Sequence, residues 1–176
     1  MGWWGNGIMQ GDSPLDILDA MREEMPEVGR GPRAGSWHPE EFPDSPRLAA
    51  RFRAAFEAFL PKAAEWSARF DYGDGFDESG LAIQVLAVCA LAAGADIDGP
   101  CGGDGRSFRA VALDVTRRAE KEHEAESPGW ASSFKAFAAA LEGYRGEPAY
   151  IGGGGLMEAF EEHVGDGLIN VDGPRH

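Results

Sequence analysis

From residue 81 to residue 93 the chain reads Leu-Ala-Ile-Gln-Val-Leu-Ala-Val-Cys-Ala-Leu-Ala-Ala, and Gly94 follows. A helix over this run is apolar on every side, with Gln84 as its one polar residue. At 1.5 Å per residue it is about 20 Å long, short of the ~30 Å hydrocarbon core of a bilayer. Such a helix has to be enclosed by other elements of its own chain. Gly94 supplies the left-handed residue that ends it. The run therefore predicts a buried central helix with further helices around it.

The surrounding helices announce themselves by caps and periodicity. Ser13, Pro14 and Asp16 form a capping box with proline in the first turn, and Leu15, Leu18, Met21 and Met25 then share one stripe up to Pro26. Ser45 and Pro46 repeat the device ahead of Leu48, Phe52, Phe56, Phe59 and Leu60. Pro61 breaks that helix, and Trp66 and Phe70 mark a short one beyond it. Ser107 caps a helix whose inward residues are Phe108, Val111, Ala112 and Val115. Ser127 and Pro128 open another, in which Trp130, Phe134, Phe137, Leu141 and Tyr144 step by four, three, four and three. A last short helix is expected over 156–164, after a glycine hinge at 152–155, with Met157, Phe160 and Val164 on one side. Residues 1–12 and the long connection 26–45 carry no sustained period. Strand signals are confined to 168–171 and 150–151, too little for a sheet with its own core. The expectation is an all-α single domain, residues 1–164, of five to seven helices around 81–93. The tail 165–176 is expected to fray.

Charge narrows the function classes. The 176 residues carry 16 Lys and Arg against 30 Asp and Glu, a net charge of −14. The excess lies in two blocks, nine acids against two bases over 54–104 and eleven against three over 119–172. Between them Arg106, Arg109, Arg117 and Arg118 oppose Asp114 alone. Direct binding to a phosphate backbone depends on Lys and Arg, so nucleic acid is disfavoured as a partner. A basic protein is favoured, because an acidic field raises the encounter rate with one. Ordinary solubility and adaptation to high salt are the plainer readings of the same charge. The four arginines have an equally plain one, pairing with the chain's own carboxylates.

Reactive chemistry leaves no recognisable trace. The chain has no G-x-S-x-G, no H-E-x-x-H, no Walker loop and no C-x-x-C. Asp71, Asp74, Asp77 and Glu78 cluster in one turn, but without the spacing of an EF-hand, and a helix-capping turn is the simpler reading. Glu120-x-x-His123 is one carboxylate–histidine pair where a di-iron bundle needs two, with two further Glu. No catalytic, cofactor-binding or metal-ligating residue is assigned, and no cofactor is expected. Cys89 lies in the apolar run and Cys101 in a glycine-rich stretch, as two reduced thiols of a cytoplasmic protein would. The N-terminal residues lack the basic and apolar parts of a signal peptide, and no apolar run is long enough to span a membrane.

Met1-Gly2-x-Trp4-Gly5-x-Gly7, followed by Asp12, Asp16 and Leu18, resembles the start of a family of small bacterial proteins of unknown function that begin Met-Gly-x-Trp-Gly-x-Gly. The resemblance covers about the first twenty residues. It implies a helical fold and lends no catalytic residue. This chain departs from the pattern at Ile8-Met9-Gln10-Gly11 and in being longer.

The leading expectation is a non-enzymatic acidic binding protein, immunity- or phage-inhibitor-like, that engages a basic surface on a partner such as a nucleic-acid-handling effector. Its contacts are expected from Asp71, Asp74, Asp77 and Glu78, from Glu120, Glu122, Glu124 and Glu126, and from the aromatic anchors Trp3, Trp4 and Trp37. The alternatives are a small metal-dependent hydrolase built on the Asp-rich loops with His38 or His123, and a structural, oligomer-forming protein of a mobile element.

Overall fold

The computed structural model describes residue 8 and residues 12–25 and 46–148. These form an all-α fold of six α-helices: α1 (Asp12–Glu24), α2 (Pro46–Phe59), α3 (Ala63–Ser67), α4 (Ser79–Ala93), α5 (Phe108–His123) and α6 (Pro128–Gly143). No strand forms among the described residues. Their only β-type pairings are the isolated bridges Asp71–Asp77 and Pro100–Ser107.

Helix α4 is the axis of the core, as its composition requires. Every residue from 82 to 93 is buried, Gln84 included. Helices α1, α2, α3 and α5 pack directly on it. The α6 helix packs on α5 through the most extensive helix–helix contact among the described residues, the short connection 124–127 making the two neighbours. One continuous cluster runs through all six helices, with Phe52, Phe56, Phe108 and Phe137 fully enclosed. Gly94 takes φ +74° and its N–H, with that of Ala95, closes on carbonyls of the last turn of α4.

Pro61 acts as its sequence position dictates. Helix α2 gives way at Leu60–Lys62 to a 3-10 turn, α3 resumes for five residues, and a second 3-10 turn ends at Phe70. Trp66 and Phe70 are buried there, Trp66 edge-on to Phe59 and to Phe70.

Several boundaries differ from expectation for local reasons. Helix α1 begins at Asp12, so Ser13 is a buried residue of the first turn and not the residue before it. Helix α4 begins at Ser79, two residues before the apolar run, with the N–H of Ser79 bonded to Asp77 Oδ1 at 2.8 Å. The Ser107 hydroxyl caps α5 by accepting from Ala110 N, whereas Ser127 makes no such bond at α6. There proline at the first helical position already removes one of the N–H groups that a cap would serve. Residues 1–7 and 9–11, the connection 26–45, the hinge 152–155, the helix 156–164 and the tail 165–176 lie outside the described residues, as do the side chains of Leu15 and Leu48. No helix among the described residues is long and apolar enough to cross a membrane.

Candidate functional site

The acidic turn is a miniature hairpin. Gly73, Asp74 and Gly75 all take positive φ, at +72°, +55° and +85°, and reverse the chain tightly. Tyr72 N donates to Phe76 O at 3.1 Å and Glu78 N to Phe70 O at 3.0 Å. Two of its carboxylates serve the turn itself: Asp71 Oδ1 accepts from Gly73 N at 3.0 Å, and Asp77 Oδ1 from Ser79 N. Hydrogen bonds from Ser79 hold the Asp77 carboxyl below its ordinary pKa, with a smaller contribution from the Arg118 charge. The same turn leaves Tyr72 and Phe76 58% and 49% exposed, their ring centroids 6.1 Å apart. They are the exposed large hydrophobic residues of the described structure.

The hairpin borders a groove of about 800 Å³ between the start of α4, the outer face of α5 and the first turns of α6. Its apolar lining includes Leu81, Val111, Val115, Ala119 and Trp130, and its acidic lining is Asp77, Glu78 and Glu122. Phe76 stands at the hairpin side. His123 is half-buried among aromatic rings, 6.1 Å from Trp130 and 5.5 Å from Phe134 centroid to centroid, and its Nδ1 lies 2.9 Å from Ala119 O. The acidic end of α5 is therefore not uniformly exposed. Glu122, Glu124 and Glu126 are exposed, while Glu120 and His123 are half-buried.

The fold thus brings together Asp77 and Glu78 from one expected acidic cluster and Glu122 from the other. Asp71, Asp74, Glu120, Glu124 and Glu126 do not line the groove. Trp3, Trp4 and Trp37 lie outside the described residues, as does His38. Among the described residues no group of three or more His, Cys, Asp or Glu side chains is placed to hold a metal ion. The Asp-rich loops make turns: Asp96 Oδ1 accepts from Asp98 N at 2.9 Å and Asp104 Oδ1 from Arg106 N at 3.1 Å.

The arginine group between the acidic blocks is paired internally. Arg106 and Arg118 both reach Asp114, at 3.6 and 3.5 Å, and Arg117 pairs with Glu142. Arg109 pairs with Asp98 and also donates to backbone carbonyls at the end of α6. It borders a second cleft of about 600 Å³, whose other charges are likewise engaged. Glu57 Oε1 accepts from Asp96 N at 2.9 Å, and Arg145 Nη1 donates to the carbonyls of Glu142 and Tyr144, each at 2.9 Å. That cleft ties α6 to the 94–98 turn.

Both cysteines are free and buried. Burial in the apolar core pushes the Cys89 thiol up to about 12, and burial raises Cys101 as well, so neither is poised as a nucleophile.

No family model, curated protein or solved structure matches the chain. The Met1 to Gly7 motif lies outside the described residues, and the groove rests on its own geometry.

Sequence reading missed two features of this site. Tyr72 and Phe76 sit in a turn with no amphipathic period, so no pattern marks them as surface aromatics; the signal available was two rings beside Gly73 and Gly75, where a tight reversal leaves little to pack on. Gln84 is the one polar residue of the apolar run, and nothing in its spacing marks it as lining a groove. It is 3% exposed and lines the groove.

Proposed function

We propose that this protein is an acidic binding protein without a catalytic centre, which engages a basic surface on another protein, as an immunity protein or a phage-type inhibitor of a nucleic-acid-handling effector does. The observation that carries this reading is the meeting of Asp77, Glu78 and Glu122 around an apolar groove, beside the exposed rings of Tyr72 and Phe76. Interfaces of this kind join an apolar centre to a charged rim. The net charge of −14 steers a cationic partner toward such a rim and keeps nucleic acid off it.

The test is affinity purification from the native host with the full chain, at low salt and at about 0.5 M salt, where the screening length falls to a few ångströms. Basic proteins held at low salt are expected to be released at high salt. A variant carrying Glu78→Lys and Glu122→Lys, which reverses groove acids and spares the turn bonds of Asp71 and Asp77, is expected to capture them more slowly. Capture indifferent to both salt and charge reversal would overturn the reading.

A further inference from the structure

We propose that the groove between α4, α5 and α6 receives the apolar face of a basic amphipathic helix presented by the partner, an inference that rests on the binding reading above.

The shape of the recognition element follows from what the groove offers. Strand addition, one way of recognising an extended peptide, needs a sheet edge, and the described residues contain no sheet. A helix seats side chains at positions i, i+3, i+4 and i+7 into an apolar trough and needs no backbone partner from its host. Leu81, Val115, Ala119 and Trp130 provide that trough. The acids around it come from two elements, Asp77 and Glu78 from the hairpin and Glu122 from α5, so cations flanking an apolar stripe meet carboxylates. Arg118 is the one basic side chain in the lining that is always charged, and it is paired with Asp114.

Two observations set the occupant's size and polarity. Phe76 lines the groove and Tyr72 beside it carries apolar surface past its edge, together more than a small cation would cover. Gln84 lines the groove while 97% of its surface is enclosed, and among the described residues its amide makes one hydrogen bond, Nε2 to Thr116 Oγ1 at 3.4 Å. A buried amide with one weak bond has capacity left for a polar group that reaches the floor. The chemistry is that of a helix with an apolar stripe, flanking Lys or Arg, and a polar residue within the stripe.

The probe is a dye-labelled Leu/Lys peptide of about five helical turns, ~18 residues, with Leu at i, i+3, i+4 and i+7. Its control has the same composition in scrambled order. Anisotropy is expected to give the patterned peptide at least ~10-fold tighter binding, the equivalent of about 1.4 kcal/mol. Ala119→Trp, which fills the trough without altering charge, should erase that advantage and leave the weak, salt-sensitive binding of the control. Glu122→Lys should weaken both peptides. Amide chemical shifts of the wild-type chain, which need no variant to fold, should move at residues 77–84, 111–123 and 127–134. Equal, salt-sensitive binding of the two peptides would overturn the groove and leave the charge-driven reading standing. Binding of neither peptide, shifts elsewhere on the surface, or self-association of the protein through this face would overturn the inference too. Host capture that fails its salt test would remove the reading beneath it.

Discussion

Arg109 grips both carboxylate oxygens of Asp98, Nε to Oδ1 at 2.6 Å and Nη2 to Oδ2 at 3.0 Å, and the same guanidinium donates to the carbonyls of Leu141 and Tyr144. The last carbonyls of α6 lack intrahelical partners, and here one side chain from α5 serves them. Tyr144 completes the tie by donating its hydroxyl to Ala95 O at 2.9 Å, just past the end of α4. Three helices are pinned at one point. Arg109→Ala is therefore expected to lower unfolding free energy by about 2–3 kcal/mol, since it removes charge-assisted bonds and strands part-buried acceptors. Arg109→Lys keeps the charge but not the planar fork and should lose about half as much. Urea denaturation of the three proteins measures both.

The same contact gives stability a pH dependence with a definite sign. The hydrogen bond from Arg109 holds the Asp98 carboxyl below its ordinary value of 3.8; burial opposes it, and the charges of Arg109 and Arg145 add smaller lowering effects. The unfolded chain then takes up this proton first as pH falls. The contribution is complete above the unfolded value and disappears as pH drops through the lower folded one. Asp98→Asn should therefore melt at a lower temperature than wild type at neutral pH, with the gap closing below about pH 4. Parallel melting curves across that range would show that Asp98 is not the group responsible.

Gly94 stands where both conformation and space disfavour a side chain. Its φ is +74°, and a Cβ there would lie 2.7 Å from Arg53 Nη2 and 3.0 Å from the Pro148 ring. The arginine end can swing aside, but the proline ring is fixed to its backbone. Gly94→Ala is expected to cost about 2 kcal/mol, at least half of it from the left-handed backbone. Gly94→Asn, which tolerates that backbone better, should recover part of the conformational loss and none of the steric one. Thermal melts of the pair separate the two contributions.

How far the sequence reaches is clearest when α4 and the groove are set side by side. The apolar run 81–93, Gly94 after it and Pro61 before α3 act within a few residues of themselves, and each does in the fold what its chemistry requires. The stripe from Phe134 through Phe137 to Leu141 is of the same local kind. The groove is not. Asp77 and Glu122 are 45 positions apart in the chain, and only the packing of α5 against α4 sets them around one trough. Arg109 illustrates the same divide: its internal pairing was foreseeable from the surrounding acids, whereas its bonds to Leu141 and Tyr144 depend on where α6 ends. Periodicity reports which face of a helix is buried. It does not report which faces meet.

Trp66 provides the sharpest test of the core. Its side chain is 4% exposed, and its ring meets Phe59 and Phe70 edge-on at centroid distances of 5.4 and 5.0 Å. Its indole Nε1 is shut off from solvent and makes no hydrogen bond among the described residues. A buried donor without a partner costs about 1–3 kcal/mol, whereas the aromatic contacts around it are favourable by about 0.5–1.5 kcal/mol per pair. Trp66→Phe keeps a ring in the cluster and discards the donor, at the expense of some packing volume. These effects oppose one another, so the variant should lie within about 1 kcal/mol of wild type, while Trp66→Ala should lose about 3–5 kcal/mol. Denaturant midpoints at constant m-value decide the matter. A phenylalanine variant as damaged as the alanine one would mean that the N–H contributes a bond of its own, and that the ring's surroundings are more polar than Phe59 and Phe70 make them.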